Sequence, residues 1–100
     1  MHKTKRVYTE KEVRALINSL YSCREKLDQF QPDSPILIGI YDIEQTMPYL
    51  SKEQNTVYQY MVEGVPVNEW SNEWNTYERN IWRKQESLVK TLTNTLNHGK

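Results

Sequence analysis

The apolar residues of this 100-residue sequence recur at steps of three and four, which is the repeat of an amphipathic α-helix. Thr9 and Glu12 have the spacing of a capping box, with Thr9 as the residue before the first turn. An apolar stripe follows them, formed by Val13, Leu16, Ile17, Leu20, Leu27 and Phe30. The pattern predicts a first helix over about residues 10–30, preceded by a flexible basic tail at residues 1–8.

Prolines interrupt the pattern after this helix and indicate the start of a second one. Pro35 suits the first position of a helix, with Asp33 or Ser34 as its cap. The short apolar run Ile36–Tyr41 is also compatible with a buried strand. We favour a helix to about Thr46, because one helical face continues beyond strand length through Ile36, Ile40, Ile43 and Met47.

Shorter helical signals organise the C-terminal half of the chain. Ser51 and Gln54 form a second capping-box pattern, and Gly64 is a natural left-handed stop for the helix that they open. Asn68 is the expected cap of a short helix that continues through Trp74. After a turn, a long last helix carries an inner stripe of Ile81, Leu88 and Leu92.

These segments predict an all-α fold in a single domain, residues 1–100. We expect a small bundle of about four to five helices, with an N-terminal helical part at 9–47, a helix-turn-helix at 50–97 and a long last helix. Because 37% of the residues are hydrophobic, the chain has too little interior for a second core.

We expect neither a membrane span nor a secretory signal, and we find no metal-binding pattern in the sequence. No apolar run approaches the roughly 20 residues that cross a bilayer. Cys23 is the only cysteine, and His2 and His98 lie at opposite ends of the chain. We therefore expect a protein of the reducing cytoplasm that binds no metal.

No group of residues indicates catalysis, so an enzyme is not expected and neither is a cofactor. Three glycines are too few for the usual phosphate-binding loop, and Cys23 has no histidine near it in sequence. Asp42 and Glu44 are two residues apart and fall on different faces of a helix.

The formal net charge is zero, but the charges are segregated along the chain. Residues 31–75 contain one lysine and seven acidic side chains, whereas residues 76–100 contain five basic and two acidic side chains. The basic residues of the last segment include Arg79 and Arg83, on the side of the last helix opposite to its apolar stripe.

The helix, short helix, tight turn and long helix together have the layout of a helix-turn-helix. Their residues resemble the fourth region of bacterial sigma factors and the related helix-turn-helix of small phage transcription regulators. The resemblance covers about residues 50–92 and rests on Leu50-Ser-Lys-Glu-Gln54, Glu63-Gly64, Glu69-Trp70-Ser71, Asn75-Thr76-Tyr77 and Asn80-Ile81.

The resemblance implies a transcription regulator whose last helix enters the major groove of double-stranded promoter DNA, with bacterial RNA polymerase as a further partner. The candidate DNA-binding residues are Tyr77, Glu78, Arg79, Asn80, Trp82, Arg83 and Lys84. Asn75 replaces the turn glycine of the family, and Tyr77 replaces its capping serine. Thr76 or Asn75 is then expected to cap the last helix, which would begin one residue early.

Several alternatives remain open at the level of sequence. Trp70 and Trp74 are expected to fill the core, whereas Trp82 is either exposed for DNA or covered by the first helix. Arg79 and Arg83 could instead pair with Glu78 and Glu86 at helical spacing. The stripe of the first helix either closes the core or joins two copies in a homodimer. The rival function is a small protein-binding adaptor or inhibitor, without DNA contact, that uses the acidic stretch 42–73.

Overall fold

The computed structural model describes residues 7–23, 29, 31 and 34–98. Within these residues the fold is all-helical and contains no strand. The helices are α1 (Glu10–Cys23), α2 (Pro35–Glu44), α3 (Lys52–Glu63), α4 (Val67–Glu73) and α5 (Glu78–His98), with a 3-10 turn at Met47–Tyr49. The all-α prediction is confirmed, and the run Ile36–Tyr41 is helix rather than strand.

The capping box predicted at Thr9 and Glu12 is present at the start of α1. The Thr9 amide donates to Glu12 Oε1 at 2.9 Å, and the Glu12 amide donates to Thr9 Oγ1 at 3.1 Å, which is the capping box of α1. The predicted extension of this helix beyond Cys23 falls mostly on residues 24–28 and 30, which lie outside the described residues.

The caps of α2 and α3 are also those that the sequence indicates. Ser34 accepts from the Ile36 amide at 3.2 Å, with Pro35 in the first turn of α2. Ser51 and Gln54 form the reciprocal capping box of α3, with both bonds at 3.1 Å. These side chains satisfy backbone donors that have no partner within the helix.

The core lies along α5, which contacts each of the other four α-helices. Its inner side buries Ile81, Leu88 and Leu92. The stripe of α1 is part of the same core, with Val13, Ile17 and Leu20 buried and Leu16 partly buried. The described part of that stripe is therefore largely covered within the chain, as expected if it closes the core. Leu27 and Phe30 lie outside the described residues.

Tyr8 joins the beginning of the chain to the end of α5. Its amide donates to Asn97 Oδ1 at 2.6 Å, and Asn97 Nδ2 donates to the Tyr8 carbonyl at 2.8 Å. The Tyr8 hydroxyl also donates to Asp42 Oδ2 at 2.6 Å, and the side chain is buried. The prediction of a flexible tail over residues 1–8 is therefore wrong at Tyr8. Residues 1–6 lie outside the described residues.

Asn97→Ala is expected to lower the free energy of unfolding by about 1 to 3 kcal/mol, because it removes two hydrogen bonds to the Tyr8 backbone. Urea denaturation measures the loss, with Asn94→Ala, an exposed asparagine on the same helix, as the matched control. Equal effects of the two substitutions would contradict the role of this contact.

Candidate nucleic-acid interface

The turn between α4 and α5 is built on a left-handed asparagine. Asn75 has φ 53°, a conformation that asparagine tolerates better than most residues. The Thr76 amide donates to the Ser71 carbonyl at 3.0 Å and the Asn75 amide to the Asn72 carbonyl at 3.2 Å. These two bonds are those of a Schellman motif, which closes α4 and sends the chain into α5.

The start of α4 corrects one prediction. Asn68 is not the cap, since α4 begins at Val67 and Pro66 occupies the cap position without a side-chain hydrogen bond. Pro66 has φ −61° and ψ 143°, so its ring already holds the extended conformation that precedes a helix. Asn68 lies inside the first turn, where its carbonyl accepts from Ser71 Oγ at 3.0 Å.

The start of α5 corrects a second prediction. The helix begins at Glu78, not one residue early, and the Tyr77 carbonyl accepts from the Asn80 amide at 3.0 Å. The Thr76 amide donates to the Ser71 carbonyl and so belongs to the C-terminal cap of α4. Helix α5 begins two residues later. Thr76 Oγ1 accepts from the side chain of Asn80 at 2.8 Å.

An aromatic cluster holds α4 against α3. The ring centroids of Tyr60 and Trp70 are 5.0 Å apart, and each lies within 5.7 Å of the Trp74 centroid. Trp70 is 0% exposed and Trp74 is partly buried, so the prediction that both pack in the core is confirmed. The Tyr60 hydroxyl donates to Glu73 Oε2, and this bond raises the pKa of Tyr60. The cluster fixes the short helix on which the position of α5 depends.

The first turns of α5, together with Tyr77 just before the helix, present an aromatic and basic outer surface. Tyr77 is 71% exposed and Trp82 is 50% exposed, so α1 does not cover Trp82. Arg79 and Arg83 are both exposed, and the Arg79 guanidinium lies 5.5 Å from the centre of the Tyr77 ring. We define these four residues as the outer face of α5.

Two of the predicted site residues are engaged within the chain instead. Lys84 Nζ lies 2.9 Å from Glu53 Oε2, the ion pair found among the described residues, and 5.8 Å from the centre of the Trp74 ring. Asn80 is bonded to Thr76. Glu78 is exposed at the first position of α5, and neither of the two arginines forms an ion pair with Glu78 or Glu86 in the described structure.

A polar groove of about 410 Å³ runs beside the outer face of α5, lined by Glu53, Thr76, Asn80, Arg83, Lys84 and Ser87. Sequence reasoning did not find Glu53 or Ser87. Ser87 could have been predicted to lie beside Arg83, because residues four positions apart are neighbours on one side of a helix. Glu53 precedes Lys84 by 31 residues on another helix, and no local pattern connects them.

Three basic side chains lie at a second groove, between α1 and α5. Lys11 and Arg14 line a shallow groove of about 460 Å³ together with Lys90, with Glu10 and Glu86 at the same groove. Sequence reasoning did not find the two α1 residues, because their position depends on how α1 packs on α5.

Within the described residues, no group of three or more histidine, cysteine, aspartate or glutamate side chains is placed to hold a metal ion. None of the described helices combines the length and apolar character needed to cross a bilayer. Comparisons of this chain with protein-family models, curated proteins and solved structures found no match.

Proposed function

We propose that this protein is a cytoplasmic DNA-binding transcription regulator that reads promoter DNA with the first turns of α5. The observation that supports the proposal is the outer face of α5, which exposes Tyr77, Arg79, Trp82 and Arg83 at the start of the helix that follows α4 and its tight turn. Guanidinium groups and apolar side chains exposed together on one helix are suited to contacts with base edges.

The dimensions and chemistry of α5 fit the major groove. The groove of B-DNA is about 12 Å wide and admits an α-helix. Arg79 and Arg83 are four residues apart, so they lie on one side of the helix. Guanidinium groups at this position can bind the O6 and N7 acceptors of guanine, and Trp82 can contact a thymine methyl group. The buried Gln85 and Ile81 hold the opposite side of the helix in the core.

Lys11, Arg14 and Lys90 have a different role in this proposal. They lie along the groove between α1 and α5, beyond the first turns of the recognition helix. Such residues bind phosphates, which contributes affinity and orientation without sequence specificity.

Replacing the two exposed arginines tests the proposal most directly. A binding fragment is first selected from genomic DNA by mobility shift at low and high salt. On that fragment Arg83→Ala is expected to cost roughly 1 to 3 kcal/mol of binding free energy, if the contact with guanine is bidentate. Fluorescence anisotropy measures the affinity of each variant for the selected fragment and for an unrelated one.

Lys90→Ala is the matched control, because it removes a phosphate contact rather than a base contact. It is expected to weaken both fragments alike and to reduce the salt dependence by about one unit of slope. Unchanged binding after the combined Arg79→Ala and Arg83→Ala substitutions would refute the placement of α5 in the groove.

The partnership with bacterial RNA polymerase is part of the same proposal and is supported by the resemblance over residues 50–92. Affinity capture with purified core polymerase and holoenzyme tests it separately from DNA binding. Absence of binding to both forms would remove polymerase from the proposal and leave the DNA-binding part standing.

A protein-binding adaptor is the second candidate, because α4 exposes an acidic surface. Its exposed side chains include Asn68, Glu69, Asn72 and Glu73, and the helix has no cation to balance the two carboxylates. A carboxylate near DNA phosphates lowers affinity, whereas the same carboxylate suits a basic protein partner.

Glu69→Lys separates these two candidates. In a DNA-binding helix-turn-helix, α4 crosses close to the phosphate backbone, so the substitution is expected to strengthen binding to all DNA sequences and to increase its salt dependence. Glu63→Lys, an equal charge change at an exposed position of α3, is the control. If neither variant binds DNA at low salt, the adaptor becomes the better proposal.

A further inference from the structure

The polar groove beside the outer face of α5 is lined mainly by groups that donate hydrogen bonds. Its lining residues are Glu53, Thr76, Asn80, Arg83, Lys84 and Ser87. Two of these side chains are cations, two carry hydroxyls and one carries an amide, so five of the six can donate to an anion. The sixth is the carboxylate of Glu53. We define these six residues as the Lys84 groove.

The donors of the Lys84 groove occupy one flank of α5, next to the side that carries Arg83. With 3.6 residues per turn, Ser87, Asn80 and Lys84 lie about 40°, 60° and 100° round the helix axis from that arginine. An α-helix with its side chains is about 10 to 12 Å across, and the major groove of B-DNA is about 12 Å wide. A helix that points Arg83 at the bases therefore has its flanks beside the phosphates.

Glu53 reaches this flank of α5 from the first turn of α3. Its Oε2 atom lies 2.9 Å from Lys84 Nζ, and the side chains of Glu53 and Lys84 are 60% and 31% exposed. A carboxylate and a phosphate diester are both oxyanions, and both accept hydrogen bonds from an ammonium group at this kind of distance. Because water reaches both partners, the ion pair contributes little to stability and is readily exchanged.

Other donors of the groove remain available to an anion. Arg83 forms no ion pair among the described residues. Thr76 Oγ1 accepts from Asn80 Nδ2 at 2.8 Å, so the Thr76 hydroxyl keeps its own proton to donate. A phosphate in this groove would thus have two cations and neutral donors around it.

We propose that the Lys84 groove binds one phosphate group of the DNA backbone and that Glu53 occupies this place in the unbound protein. On binding, Lys84 exchanges the carboxylate of Glu53 for the phosphate. The exchange leaves Glu53 unpaired beside a second negative charge, which opposes binding to every DNA sequence alike. Specific binding then depends more on the base contacts of α5. The inference rests on the proposed function of α5 and adds a residue that limits its affinity.

Glu53→Gln tests the proposal, because glutamine keeps the shape of the side chain and removes its charge. Binding to the selected DNA fragment and to the unrelated fragment is expected to become about two- to fivefold tighter at low salt, the range that exposed ion pairs span. The slope of log affinity against log salt concentration is expected to steepen by up to about 0.9, the value for one more neutralised phosphate. Fluorescence anisotropy with each fragment measures both quantities.

Glu63→Gln is the matched control, since it makes the same change at an exposed position of the same helix that forms no ion pair in the described structure. It is expected to leave the affinity and the salt slope unchanged. Negative charge in the first turn also suits the N-terminus of α3, so the thermal midpoint of each variant is measured without DNA. A lower midpoint for Glu53→Gln with no change in salt slope would assign Glu53 to helix stability alone and overturn the proposal.

The double variant with Lys84→Ala tests the exchange itself. In the Lys84→Ala background Glu53 has no ammonium group to hold, so Glu53→Gln is expected to gain at most about half as much affinity as it does in the natural sequence. Equal gains in the two backgrounds overturn the exchange, because Glu53 would then act on DNA by its charge alone.

Failure of this inference can be told apart from failure of the proposed function. If the natural chain binds DNA and Glu53→Gln leaves that binding unchanged or weaker, the Lys84 groove is not a phosphate site and the proposed role of α5 stands. The same holds if the gain is confined to the selected fragment, since a phosphate contact acts on all sequences. If neither the natural chain nor any of these variants binds DNA at low salt, the proposed function fails and the phosphate site fails with it.

Discussion

Trp70→Ala is expected to lower the free energy of unfolding by about 3 to 5 kcal/mol, the range for deleting a fully buried large aromatic side chain. Trp70 is 0% exposed and contacts the rings of Tyr60 and Trp74. Its loss would leave a cavity between α3 and α4. The two helices could close this cavity only in part by moving towards each other. Guanidinium denaturation followed by circular dichroism measures the effect.

Trp82→Ala is the matched control for this substitution. Trp82 is half-exposed on α5, so its removal is expected to change stability by no more than about 0.5 kcal/mol. The same variant is expected to lose affinity for the selected DNA. If both tryptophans contribute equally to stability, the assignment of one to the core and the other to the interface is wrong.

Trp70→Phe refines the expectation for the core. The Trp70 Nε1 atom is buried and has no hydrogen-bond partner among the described residues. Phenylalanine keeps an aromatic ring at this position and removes the unpaired donor, which carries a desolvation cost. Trp70→Phe is therefore expected to lose clearly less stability than Trp70→Ala, measured in the same denaturation experiment.

Gly64→Ala is expected to destabilise the protein by about 2 to 5 kcal/mol, from two separate causes. Gly64 ends α3 with φ 70°, where a side chain adds left-handed strain. A Cβ atom at this position would also lie 2.2 Å from Cε1 of Tyr21, so the ring must move. Thermal and chemical denaturation of the variant measure the total.

A double-mutant cycle with Tyr21→Ala separates the two causes. In the Tyr21→Ala background, Gly64→Ala is expected to cost only the backbone strain, about 1 to 2 kcal/mol. Gly39→Ala is the comparison without left-handed strain: its Cβ would lie 2.7 Å from Cδ1 of Leu16, which must shift, but the helical backbone at Gly39 favours alanine by about 1 kcal/mol. A larger loss at Gly39 than at Gly64 would contradict this account.

The parts of the fold that the sequence predicts correctly depend on neighbouring residues. The capping boxes at Thr9 and Ser51, the stop at Gly64 and the turn at Asn75 each involve side chains and amides within a few positions. Each of these caps and turns is therefore determined by residues within about one helical turn along the chain. The exception is Asn68, where the adjacent Pro66 supplies the extended conformation and displaces the expected cap.

The parts that sequence reasoning missed depend on distant residues. The contact of Tyr8 with Asn97 spans 89 positions, and the Glu53–Lys84 ion pair spans 31. In the candidate interface, the exposure of Arg79 and Arg83 follows from their distance from the apolar stripe and was predictable. The engagement of Lys84 was not, because it requires the packing of α3 on α5.

The contact between Tyr8 and Asn97 also brings two positions that are far apart in sequence next to each other. Two hydrogen bonds join backbone and side chain at opposite ends of the described fold. A covalent cross-link between positions 8 and 97 would close a loop that spans 89 positions and would reduce the entropy of the unfolded chain. Because the two residues are already in contact, the link would require little rearrangement of the described helices.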